Sequence, residues 1–168
     1  KSMETNLTRY KKDLESLITN GTKLYYGLLY ELRDELKSEF AQLPQETQKL
    51  YAKFSFKDKY NGWYNEALCV IKQLAPERLD DFKSYYKLEK RKELSYETYT
   101  ISDYMIGLIK TRLGEVVLPT RSVCSKFEQQ LHIVKSLENR FESSLYDIKQ
   151  LLQADVFDSE IDSAKELC

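Results

Sequence analysis

The sequence predicts an all-α fold, an irregular helical bundle packed along one long helix at about residues 120–154. Three observations lead there. The run from Pro119 to Asp155 has no Gly or Pro after its first residue, and its apolar positions Val123, Phe127, Leu131, Val134, Leu137, Phe141, Leu145, Ile148 and Leu152 recur at a mean spacing of about 3.6. Two further segments, residues 4–40 and 56–86, carry apolar stripes at helical spacing. Finally, only five Gly and three Pro interrupt 168 residues, the composition of a helix-rich globular chain. At that length one domain over residues 1–168 is expected, able to bury about 70% of the surface its unfolded chain exposes.

Leu7, Tyr10, Leu14, Leu17 and Ile18 open a stripe that continues roughly in phase through Tyr25, Leu28, Leu29, Leu32, Leu36 and Phe40. Asn20-Gly21 lies between the two halves. A Gly inside a helix costs only about 1 kcal/mol, so one long helix is favoured over a hairpin. Pro44 ends this element, because the residue before a proline is pushed out of the α region. A short helix through Leu50 and Phe54 follows, then a wide-faced helix from Phe56 to Ala75 with Trp63 as core anchor. Pro76 suits the first position of a new helix, with Glu77 and Asp80 complementing its dipole and Leu79, Phe82 and Tyr86 turned inward. Residues 87–99 read as an irregular connection. Thr100 or Ser102 can cap a helix carrying Tyr104, Met105, Leu108 and Ile109 that stops near Gly114. Val116-Val117-Leu118 is extended and apolar but too short to imply a sheet. Beyond the long helix, Asp158 or Ser159 is a cap for a last helix with Ile161, Ala164 and Leu167.

A net charge of −1 supplies no global field for nucleic acid or an anionic membrane surface. Regional balance differs: residues 44–92 hold 11 Lys or Arg against seven acids, and residues 120–168 hold six against nine. Cys69, Cys124 and Cys168 lack zinc or redox spacing and are odd in number, which reads as reduced, buried thiols in a cytoplasmic protein. No apolar run approaches the roughly 18 residues that span a bilayer, so no membrane association is expected. The chain opens without an initiator Met and stops in a helix-like run, as the N-terminal part of a longer protein would.

Chemistry-bearing patterns are sparse. Cys124, Glu128 and His132 sit at i, i+4 and i+8 on one helix face, but over two turns they span about 12 Å, too far to meet at one ion. A partly buried neutral imidazole is the plainer reading of His132, the single histidine. No metal, cofactor or catalytic residue is assigned, for there is no phosphate loop or nucleophile elbow. The basic stretch of Lys87, Lys90, Arg91 and Lys92, extended by Lys83 and flanked by Tyr96 and Tyr99, has cations for phosphates and rings for bases. RNA or DNA is therefore a candidate partner; the plainer alternative is a solvated charged loop.

The strings YNGWYNEALCVIKQLAPERLDDFKSYYK, YETYTISDYMIGL and FEQQLHIVKSLENRFESSLYDIKQLLQADVFDSEIDSAKEL supply a further reading. Over roughly residues 10–168 the chain resembles the N-terminal helical region of bacterial proteins that continue into a HEPN-type domain. The residues that carry the resemblance are Tyr60, Trp63, Tyr64, Glu66, Ala67, Leu74, Pro76, Arg78, Leu79, Asp81 and Phe82, then Phe141, Glu142, Ser144, Leu145, Asp147 and Asp158. HEPN domains are small helical bundles, many of them ribonucleases of toxin-antitoxin, CRISPR and phage-defence systems, whose active motif is Arg followed a few residues later by His, often as Arg-Asn-x-x-x-His. This chain departs from that motif: the nearest Arg before His132 is Arg121, 11 positions back, and Asn139-Arg140 lies after it. The resemblance thus implies a non-catalytic regulatory, scaffolding or dimerisation module, with any ribonuclease motif outside these residues.

A homo-oligomer is also expected. A helix of about 35 residues outruns a globule of about 15 Å radius of gyration, leaving Phe141, Leu145, Ile148 and Leu152 as interface candidates, with the Tyr25 to Leu36 segment as a second one.

Overall fold

The computed structural model describes residues 2–166, with side-chain surroundings for residues 8–143, 153 and 164. The described residues form seven α-helices, three short 3-10 turns and one small hairpin, joined by irregular segments. Helix α1 (Ser2–Leu32) runs unbroken through Asn20-Gly21. The glycine serves packing: a Cβ there would lie 2.7 Å from Leu131 Cδ1 and 2.9 Å from Trp63 Nε1. Its bare backbone lets the neighbouring helices close on α1, and the Trp63 indole donates to the Leu17 carbonyl at 2.9 Å.

The helix stops at Leu32 instead of continuing to Phe40. Arg33 leaves the helical region (φ −104°, ψ 83°), and a 3-10 turn and the short α2 (Lys37–Ala41) fold back. In a continuous helix residues 30 and 40 would lie about 15 Å apart along the axis. The reversal brings the Tyr30 and Phe40 rings to 5.4 Å, edge to face, with Tyr51 of α3 (Gln45–Lys53) 6.1 Å from Phe40. Burial of Phe40 thus overrides the periodicity of its sequence.

Helix α4 (Phe56–Leu74) is capped by Ser55, whose hydroxyl accepts from the Asp58 amide. Pro76 opens a 3-10 turn leading into α5 (Leu79–Tyr86). Thr100 and Asp103 form a reciprocal capping box on α6 (Ile101–Met105), which ends at once. Gly107, at φ +71°, carries the chain out, so Leu108 and Ile109 are not helical. A hairpin follows, of β1 (Lys110–Arg112) and β2 (Glu115–Leu118) paired antiparallel. Its turn residues Leu113 and Gly114 have φ +52° and +82°, the left-handed pair of a tight two-residue hairpin, built with Leu where Asn or Asp is usual. Helix α7 (Val123–Glu166) then runs straight through Asp158 and Ser159, where a new cap was expected.

Helices α1, α4 and α7 surround the core. Helix α7 lies antiparallel to α1: Lys11 pairs with Glu142 near one end, Leu131 faces Gly21, and the Tyr25 and Phe127 rings lie 6.5 Å apart. Phe127 is the hub, 5.0 Å from both Phe56 and Trp63 and 5.9 Å from Tyr60. Burial of such rings contributes about 25 cal/mol per Å² of apolar surface, with edge-to-face pairs adding about 0.5–1.5 kcal/mol. One polar thread crosses this core. Tyr60 donates to Gln130 Oε1 at 2.7 Å, and Gln130 Nε2 donates to the Phe82 carbonyl at 2.9 Å, tying α4, α7 and α5 together while satisfying a fully buried amide.

Candidate functional site

Residues 87–99 have little regular structure, yet they are tightly pinned. Ser95 and Thr98 exchange side-chain and backbone hydrogen bonds, as short hydroxyl side chains do when they compete with secondary structure. Lys110 Nζ donates to the Leu94 carbonyl and Lys126 Nζ to that of Glu97, both at 3.0 Å. The deepest anchor is Arg91. Its Nη1 donates to Asp103 Oδ2 at 2.5 Å and to the Thr98 carbonyl at 3.2 Å, while the same carboxylate accepts the Thr100 amide. The Asp103 side chain is 9% exposed and that of Arg91 26%, so this guanidinium is engaged in holding the loop.

Tyr99 is likewise removed from the proposed stacking surface. It is 1% exposed and donates its hydroxyl to the Leu108 carbonyl at 2.7 Å; desolvation pushes that phenol up to about 12. Lys83 on α5 and Lys87, Lys90 and Lys92 in the loop stay exposed, as does Tyr96 at 53%. Tyr96 donates to Ser125 Oγ at 2.8 Å, and Lys126 Nζ stands 5.3 Å from its ring centre.

On α7 the spaced trio separates by face. Cys124 is 3% exposed, and burial pushes its thiol up to about 11, opposed mainly by Arg33. The His132 side chain is 56% exposed instead of partly buried, with Nε2 3.9 Å from Glu128 Oε1. Cys69, expected inside, is exposed on α4. Among the described residues no His, Cys, Asp and Glu group is arranged to hold a metal ion, and no helix is long and apolar enough to cross a membrane.

Phe141, expected at an interface, is 8% exposed and packed within the hydrophobic core of the chain. In the second interface candidate, Leu28 and Leu29 are buried at 0% and 9%. Leu145, Ile148 and Leu152 lie on α7, but their side chains fall outside the described ones.

One cleft of about 690 Å³ is announced by no motif. It opens where the end of α1, the Tyr96 loop, β2 and the start of α7 meet, and Arg33, Glu35, Tyr96, Arg121, Ser122 and Ser125 line it. Residues so distant in sequence carry no common spacing for a reading of the chain to find. Comparison with family models, curated proteins and solved structures finds no match to this chain.

Proposed function

We propose that this chain is a non-catalytic helical module that packs against and positions or restrains a HEPN-like domain, in bacterial nucleic-acid metabolism or phage defence, and that it self-associates through α7. The observation that carries the reading is the reach of α7. It continues as one helix for 25 residues beyond Phe141, to Glu166. That is about 37 Å at about 1.5 Å per residue. With Lys11 opposite Glu142, the nine residues of α1 before Lys11 can flank α7 only to about residue 151. The last stretch of α7 therefore outreaches its antiparallel neighbour, in the manner of a docking arm. Of the residues that carry the resemblance, Tyr60, Trp63, Ala67 and Phe82 are core residues at 0–5% exposure while Glu66, Pro76, Arg78 and Asp81 are exposed, a mixture that supports a scaffold role.

The test has two arms. Incubated with labelled RNA, the full chain should leave it intact; robust cleavage abolished by His132→Ala would overturn the non-catalytic reading. In sedimentation at micromolar concentration, mass should rise with concentration and Leu145→Asp should suppress the rise. A constant monomer mass would remove self-association.

A second reading, nucleic-acid contact by the 83–99 segment, is favoured by the four exposed lysines at 83, 87, 90 and 92 beside Tyr96. Four phosphate contacts predict log K falling by about three to four units per decade of salt. Replacing Lys90 and Lys92 with Ala should flatten that slope by about half; absence of binding to single-stranded RNA at low salt eliminates this reading.

A further inference from the structure

We propose that the cleft at the start of α7 binds a nucleoside phosphate, its phosphate held by Arg121 and the Ser122 hydroxyl and its base laid on Tyr96. This site is separate from the arm of α7 and does not depend on the role proposed above.

The charge balance favours an anion. Two guanidinium groups, Arg33 and Arg121, face one carboxylate, Glu35, among the lining residues. Glu35 is already paired with Arg33. Arg121 makes no ion pair or hydrogen bond among the described residues, although its charge contributes to lowering the pKa values of Asp34 and Glu35. A guanidinium fork poised in this way suits a phosphate, which it can engage through two parallel bonds.

Ser122 is the second observation. The residue is 5% exposed, yet its hydroxyl has no hydrogen-bond partner among the described residues. The hydroxyl is not fully enclosed, and Ser122 lines the cleft, so a ligand there can reach it.

The rest of the wall suits a base and sugar. Tyr96 presents a half-exposed ring held by its bond to Ser125, and Val117 and Leu118 supply apolar surface. A volume of about 690 Å³ falls within the usual range for small-ligand clefts, and aromatic stacking accepts any base.

Calorimetric titration of the full chain at low salt tests this, with adenosine 5′-monophosphate as the probe. Saturable binding is expected, weakened about tenfold or more by Arg121→Ala and about fivefold or more by Tyr96→Leu. Glu35→Gln, which removes the one opposing charge, should tighten it, a gain that loss of structure would not produce. Arg112→Ala, on the hairpin outside the cleft, should leave it unchanged. Should Arg121→Ala melt early, Arg121→Lys keeps the charge without the fork and should still weaken binding. A short RNA bearing a 5′-phosphate separates the sources: tighter binding than the mononucleotide identifies a strand end, and equal or weaker binding a free nucleotide. The proposal is overturned if neither probe saturates at about 5 mM, if adenosine or inorganic phosphate binds as tightly as the monophosphate, or if Arg121→Ala and Arg121→Lys leave the affinity unchanged.

Discussion

The aromatic core between α1, α4 and α7 and the segment from Lys87 to Ser122 are held together by different physics. In the core, Phe56, Tyr60, Trp63 and Phe127 pack ring on ring, and the buried side-chain polar groups seen to bond there are few: the Trp63 indole on Leu17 and the Tyr60–Gln130 thread. In the segment, Arg91, Thr98, Asp103 and Lys110, with Lys126 reaching in from α7, hold the backbone by named hydrogen bonds. Its apolar groups are divided: Ile106 is 75% exposed and Leu113 97%, whereas Tyr99, Ile101 and Tyr104 are buried in the core. Non-directional burial dominates the first region, and in the second a dense set of directional bonds is added to it, so the two should fail differently.

The largest effect is expected at the hub. Phe127→Ala empties the site where four rings converge and should cost about 3–5 kcal/mol, read as a lower urea midpoint with global loss of amide protection. Loss of protection confined to one helix would show that the core is not one cooperative unit.

Asp103→Ala should cost about 2–3 kcal/mol, because it removes the capping box and leaves Arg91 without its carboxylate. Amide exchange should quicken first across residues 91–104 while α4 keeps its protection. Uniform quickening would mean that the two regions are coupled more tightly than their contacts suggest.

Alkaline pH separates the regions by another route. The Cys124 thiol is raised to about 11 and the Tyr99 phenol to about 12, both chiefly by desolvation. Each group keeps its proton more firmly when folded, so its stabilising contribution is complete below the unfolded values of 9.0 and 10.0 and is lost as pH rises through the folded ones. Melting temperature should therefore fall between about pH 9 and 12, and Cys124→Ala should remove the earlier part of the fall. At neutral pH, iodoacetamide should modify exposed Cys69 long before buried Cys124.

The smallest effect is at the hairpin tip. Leu113 adopts φ +52° with almost its whole side chain in water, so Leu113→Gly should stabilise by roughly 0.5–1 kcal/mol by relieving the left-handed strain. A thermal melt measures it. Destabilisation would mean that this leucine makes contacts its exposure does not reveal.

Helical periodicity made α1, α4, α5 and most of α7 legible, since one buried stripe leaves a repeat that needs no partner to be read. Trp63 as core anchor and Pro76 as a helix start belong to the same local logic. The reversal at Arg33 was not legible, because Phe40 leaves the stripe for contacts with Tyr30 and Tyr51 that exist only once the chain has folded back. Nor was the hairpin, whose turn uses Leu-Gly and whose strands are three and four residues long. Among the site candidates, composition alone marked Lys83, Lys87, Lys90, Lys92 and Tyr96, and these remained at the surface. Arg91 and Tyr99 have the same residue types but were claimed by Asp103 and the Leu108 carbonyl. What sequence by itself determined was which segments coil and which face of each is apolar, because backbone geometry converts spacing directly into a surface. Tertiary structure decided which polar groups remain free, since a charge or hydroxyl is used up or left over only by what the fold brings beside it, as Arg91 and Ser122 illustrate.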